Sequence, residues 1–331
     1  MLYLDDMRLT RRLVGIAATA LVLLGLVAAV ARAQSIEDWF RLRGYQPPAQ
    51  IAAIATEDSL TPYGRHVLYV THPKLDGDSA SFLRDCSQAE QTIVLGCYHS
   101  GASLLSSDSF LFVKDVKDPR LQGVRQVTAA HEMLHAAYDR LSGNEKKTID
   151  AQLQAFYDNG VHDQRLIDTI NAYKKTEPAD VVNEMHSIFG TEVANLPAPL
   201  ENYYKKYFVN RGAVVAFASS YEGEFTSRTA QIKADDAQLA QLKQQIGAQE
   251  QQLQSQLSGI DGDRARVEQS NDSASINQYN SRVTSYNAGV RKLQSDIAAY
   301  NALVEARNAI ATELRSLQGS LDSRLTAQPA Q

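Results

Sequence analysis

The chain lacks an excess of basic residues: 33 Lys and Arg face 38 Asp and Glu, a net charge of −5. That removes nucleic acid from the expected partners. Charge is also modest overall, at 21% of residues against 44% hydrophobic, which excludes a disordered polyelectrolyte and leaves a folded protein. Proline is missing from residue 221 until near the C-terminus, so nothing there interrupts a long helix. Histidine is scarce, seven in 331 residues, and two of the seven stand four apart in an apolar stretch. The only cysteines are Cys86 and Cys97. Bridged, they would suit an oxidising compartment and stabilise by roughly 3 kcal/mol; as free thiols they would say nothing about it, and their spacing does not decide.

The N-terminus points to export. Arg8, Arg11 and Arg12 precede an uncharged run over residues 13–31, followed by Ala31-Arg32-Ala33. A basic flank, an apolar stretch and a small-x-small site describe a signal peptide cleaved near Ala33. As a helix the run would span roughly 28 Å, so a retained signal anchor fits as well. Either reading of residues 1–33 keeps the basic side in the cytoplasm and the rest extracytoplasmic.

Residues 34–64 read as a polar linker, with a short helix over 36–43 that Ser35 would cap. Three runs rich in Val, Ile, Leu, Phe and Tyr, residues 66–71, 92–98 and 110–116, read as strands of a small antiparallel sheet. Helices are expected over 121–141, 145–158, 163–174, from Pro178 to about Phe189, and over 200–208. Sheet first and helices after make residues 65–215 an α+β domain.

Residues 221–325 differ. Ile232, Leu239, Ile246, Leu253 and Ile260 recur every seven residues. After a polar break, Asp261-Gly262 and then residues 270–273, Ile276, Tyr279, Val283, Tyr286, Val290, Leu293, Ile297, Tyr300 and Val304 alternate at three and four. Two heptad arms joined by a polar turn predict an antiparallel coiled-coil hairpin; the competing reading is a parallel coiled coil between two chains, its partner unknown.

The chemistry concentrates in His131-Glu132-Met133-Leu134-His135. On a helix, residues four apart share one face, so two imidazoles converge there on one point. Glu132 then reaches a metal-bound water as general base, because zinc brings that water's pKa near 7. The flanks Val127, Ala129, Ala130, Ala136 and Ala137 predict a buried helix, and burying this polar set without a metal would be costly. A third ligand must come from elsewhere: Glu184 is the first candidate, with His186 and Glu192 as rivals. Tyr203, Tyr204 and Tyr207 are candidates to stabilise an oxyanion or simply to pack inside; His162 reads as an exposed loop residue.

The stretch from His131 to Asp139, with Ala136 after the second His and Asp139 four residues beyond it, resembles the first motif of the thermolysin-like gluzincins. Asn183-Glu184 resembles their second motif. The resemblance, confined to these two short helices, implies a zincin-like fold with His131, His135 and Glu184 as ligands of Zn2+. It departs in two respects: the two motifs lie further apart, with room for two additional helices, and Ile188 stands where the family has an Asp that orients a His ligand. Ser187 or Glu192 is left to supply that bond. No Gly and third His follow His135, which argues against a metzincin. The expectation is a zinc metalloendopeptidase acting on peptides or proteins outside the cytoplasm, and the alternative an inactive zincin scaffold whose coiled coil carries the function.

Overall fold

A computed structural model describes residues 33–86, 95–101, 109–270 and 272–322. The apolar run at 13–31 lies outside them; among the described residues no helix is long and apolar enough to cross a membrane. The described residues form two compact units. One holds 33–86, 96–101, 109–115 and 125–215; the other holds 95, 116–124, 216–270 and 272–322.

The first unit opens with three helices: α1 (Ala33–Leu42), α2 (Ala49–Glu57) and α3 (Pro62–Val70). Residues 34–64 are therefore helical and contribute Ile51, Ile54 and Ala55 to the core, where a linker was expected. Ser35 lies inside α1 and caps nothing. The run 66–71, read as a strand, belongs to α3. Its start carries the reason: the Thr61 side chain accepts from the Gly64 N–H and Pro62 opens the helix, a cap and a first-turn proline that outweigh the strand preference of Val67 and Val70. Gly64, Val67 and Leu68 then face inward.

The sheet has three strands, β1 (Lys74–Asp76), β2 (Gly96–His99) and β3 (Phe110–Lys114), in the order β1-β3-β2. β2 runs antiparallel to β3, but β1 runs parallel to it, so the sheet is mixed and not antiparallel. β1 was missed because Lys-Leu-Asp carries no strand signature; its pairing is set by β3, not by propensity. β3 is the central strand, so neither of its edges is available to an added strand; β2 is an edge. Between β1 and β2 lies α4 (Ser79–Asp85). Cys86 at its end is bridged to Cys97 on β2, with Cα atoms 5.7 Å apart.

Helices α5 (Val124–Asp139), α6 (Gly143–Gly160), α7 (Gln164–Thr176), α8 (Val181–Glu192) and α9 (Ala198–Tyr204) follow, making the unit α+β. α6 starts on a capping box between Ser142 and Glu145. α5 is buried along the residues expected, Val127, Ala129, Ala130, Met133, Leu134, Ala136 and Ala137. α8 crosses it at close range: a Cβ on Gly190 would collide with Leu134 of α5 and Tyr204 of α9. Buried Arg211 closes the end of α8, donating to the carbonyls of Phe189, Val193 and Ala194 and to the Glu201 carboxylate at 2.6 Å. These two devices fix the height of α8 against α5.

The second unit contains most of α10 (Gly212–Ser270) and all of α11 (Ser273–Leu321). Val116, Leu121 and Val124 bury against Leu317 and Leu321, with Tyr221 and Phe225 packed on them. Side-chain bonds between the helices join Arg228 to Glu313, Asp236 to Arg307, Gln249 to Asp296 and Asp263 to Arg282. The expected apolar positions from Ile232 to Ile260 are buried or half-buried. Ile297 departs from expectation: it is 37% exposed, and Asp296 occupies the inner position, accepting from Gln249 at 2.6 Å. The inner stripe there runs 290, 293, 296, 300, so only the position between Leu293 and Tyr300 shifts, by one residue, while Tyr300 and Val304 stay half-buried as expected.

Candidate metal centre

Two elements bring the site together. α5 presents His131 and His135 from successive turns, their ring centroids 4.8 Å apart. α8 presents Glu184 from its first turn, after the N-cap Asp180. One carboxylate oxygen of Glu184 lies 3.5 Å from His131 Nε2 and the other 3.4 Å from His135 Nε2. The three ligand atoms fall within 4.8 Å of one another. Glu184 and His135 are buried and His131 is half-buried.

Electrostatics follow from that geometry. Burial opposes a charge on His131, but the Glu184 carboxylate beside it prevails and lifts its pKa to about 9. Burial depresses His135, and charge on His131 adds to the effect. Burial works to raise Glu184, yet the two imidazoles outweigh it and hold the carboxyl below its ordinary value. Glu184 Oε2 is nevertheless enclosed without a hydrogen-bond partner. Two imidazoles and a carboxylate, one of whose oxygens is an orphan facing an imidazole, form a donor set that fits a metal cation.

The rivals are turned elsewhere. His186 is fully buried; its Nε2 meets the Tyr203 hydroxyl at 2.9 Å and burial drives its pKa to about 3, so it is neutral. Glu192 accepts from Arg165 at 2.8 Å. Neither expected substitute for the missing Asp bonds His131 or His135: Ser187 Oγ is buried without a hydrogen-bond partner and Glu192 is held by Arg165, while Ile188 packs in the core. Asn183 Oδ1 is buried without a hydrogen-bond partner.

Tyr203, Tyr204 and Tyr207 pack inside. The Tyr204 hydroxyl donates to the His186 carbonyl at 2.6 Å, and those of Tyr203 and Tyr207 meet at 3.2 Å. His162 is exposed. A tyrosine not singled out from sequence, Tyr173 in the last turns of α7, adjoins the Glu184 carboxylate and helps to hold its pKa down. Nothing in sequence separates it from Tyr157 on the preceding helix, whose hydroxyl donates to Asn171.

Glu132 is buried and lies against β2: a Cβ on Gly96 would come within 2.8 Å of its Cγ and 2.9 Å of its Oε1. The edge strand thus passes directly beside the residue between the two histidines. Comparison with protein-family models, with curated proteins and with solved structures finds no match to this chain.

Proposed function

We propose that the first unit is a zinc-dependent metallopeptidase domain of gluzincin type, with His131, His135 and Glu184 holding Zn2+ and Glu132 as general base. The observation that carries it is the convergence of three ligand atoms from two helices within 4.8 Å, with an acidic residue directly after the first histidine. A structural zinc site needs no such base.

Zinc bound there supplies Lewis-acid polarisation of a carbonyl and activation of water. Glu132 takes the proton of the attacking water and returns it to the leaving amine. Among the described residues β2 pairs only with β3, so its other edge is open to an extended peptide by strand addition, beside Glu132. Tyr173, beside Glu184, turns its single O–H to the carbonyl oxygen as that oxygen gains charge.

The chain acts outside the cytoplasm in this reading, anchored by residues 13–31 or released by cleavage near Ala33, and the Cys86–Cys97 bridge supports an oxidising compartment. The second unit is an antiparallel coiled-coil hairpin, supported by the bonds that pair Arg228 with Glu313 near one end and Asp263 with Arg282 near the other.

Metal analysis and peptide hydrolysis on the full chain test the domain. Glu132→Gln should keep the metal and lose hydrolysis. His131→Ala, His135→Ala and Glu184→Ala should each weaken metal binding itself, and folding stability with it. Hydrolysis undiminished in Glu132→Gln would point to another base, and a metal-loaded parent without hydrolysis would leave the inactive-scaffold reading. Metal retained in Glu184→Ala but lost in His186→Ala would sink the gluzincin assignment.

A further inference from the structure

One face of α1 is unlike the rest of the first unit. Its inner side is fastened. Asp38 is buried and accepts two bonds from Arg140, at 2.7 and 2.8 Å, and Asp38 also meets His66 at 2.7 Å. Arg41 donates to the carbonyls of Val70 and Ser109. The outer side carries Ile36, Trp39 and Phe40, at positions i, i+3 and i+4, with exposures of 49%, 55% and 64%. Residues so spaced share one helix face, and the rings of Trp39 and Phe40 touch edge to face with centroids 4.9 Å apart. The Arg43 guanidinium stacks on Trp39, 5.2 Å from its centroid. A cleft of 430 Å³ opens beside Trp39, walled by Ser35, Arg43 and His66.

Chain geometry says what this face meets. α1 begins at Ala33, two residues after the uncharged run 13–31 ends. Two extended residues reach at most about 7 Å, and six helical residues to Trp39 add roughly 9 Å. A bilayer holding residues 13–31 therefore has its headgroup layer within reach of Trp39. Tryptophan and phenylalanine beside an arginine are also the residue types that settle at the lipid–water boundary, rings among the upper acyl chains and cation at the phosphates.

We propose that Ile36, Trp39 and Phe40 on α1 seat in the bilayer interface, with Arg43 at the headgroup phosphates, so that the first unit is docked on the lipid surface and not merely tethered to it. The proposal rests on the membrane-tethered reading of residues 13–31 and is independent of the peptidase reading. Docking sets the height of the first unit above the bilayer and restricts what it meets to molecules that approach that surface.

Trp39 is the only tryptophan in the chain, which makes the test direct. The full chain is reconstituted into vesicles of phosphatidylcholine and phosphatidylglycerol, with or without bromine on the acyl chains. Vesicle flotation, Trp39 emission and iodide quenching are then measured. A ring held about 5–10 Å into the boundary should lose roughly half its emission to brominated lipid and be shielded from iodide. The double variant Ile36→Ser, Phe40→Ser, still tethered, should reverse both effects. Trp39 open to iodide and untouched by brominated lipid overturns the proposal and leaves the tether standing. Trp39 shielded from both overturns it in favour of a protein partner or a second copy. A chain that does not float with the vesicles overturns tether and docking together. Glu132→Gln should behave as the parent in every arm, since none depends on hydrolysis.

Discussion

Gly96 lies against Glu132. A Cβ at position 96 would meet the Thr128 side chain at 2.5 Å and Glu132 at 2.8 Å, so this stretch of β2 can approach α5 only because residue 96 has no side chain. The requirement is one of space: the backbone at Gly96 is ordinary strand. Gly96→Ala should displace the Glu132 carboxylate while leaving His131, His135 and Glu184 in place. Hydrolysis is expected to fall on the order of 100-fold with bound metal unchanged, since a misplacement of about 1 Å costs that much. Equal loss of metal and activity would mean that the strand supports the ligands and not the base.

Tyr173 adjoins Glu184 and helps to lower its pKa, so its hydroxyl has two separable roles. As a donor to the carbonyl oxygen, its loss in Tyr173→Phe should lower kcat on the order of 100-fold with little change in KM or metal affinity. As a support for the ligand alone, its loss should weaken metal binding roughly 10- to 100-fold. Metal titration and steady-state kinetics on the same variant distinguish the two, and the first outcome is expected.

Asp58 ends α2 with both carboxylate oxygens buried and without a hydrogen-bond partner. Burial, helped by neighbouring Glu57, pushes its pKa well above the ordinary value. The folded chain therefore holds this proton more tightly than the unfolded chain. Its contribution to stability is full below the unfolded pKa of about 3.9 and is lost as pH rises through the folded value. Asp58→Asn removes that titration. Melting temperatures of the variant should gain on the parent steadily from acid to neutral pH; a difference that stays constant with pH would show that Asp58 does not titrate as described.

Gly289 of α11 faces Leu253 of α10: a Cβ there would come within 2.8 Å of Leu253 Cδ2. Leu253→Cys with Gly289→Cys should therefore oxidise to a bridge within one chain, seen as faster migration of a monomer on a non-reducing gel. A parallel two-chain coil would instead place position 253 beside its own copy, and Leu253→Cys alone would give a covalent dimer.

Much of the site is legible in sequence because its signals are local. Four-residue spacing puts His131 and His135 on one face whatever surrounds them, and apolar neighbours from Val127 to Ala137 predict the burial observed. The helical character of 212–270 and 273–321 follows equally from heptads free of proline, although the break expected at Asp261-Gly262 does not occur and α10 runs through both residues. Errors arose where local signals compete. Val67 and Val70 favour a strand, but Thr61 and Pro62 begin a helix, and the cap decides. Ile297 fits a strict heptad, yet Asp296 turns inward because Gln249 is there to bond it.

What the sequence determined by itself is the periodic and the covalent: which helix carries the two histidines, which residues are apolar on which face, and where long helices run without interruption. Tertiary structure decided which residues separated in sequence meet. Glu184 rather than His186 or Glu192 joins the histidines because Gly190 lets α8 press on Leu134 of α5, while Tyr203 and Arg165 hold the two rivals. Tyr173 rather than Tyr203, Tyr204 or Tyr207 reaches Glu184 because α7 ends beside it. β1 joins the sheet because β3 offers it hydrogen bonds, not because Lys-Leu-Asp favours a strand. Such pairings are set by helix-to-helix distance and by which polar groups find partners once buried, and neither is written in the spacing of residues along one chain.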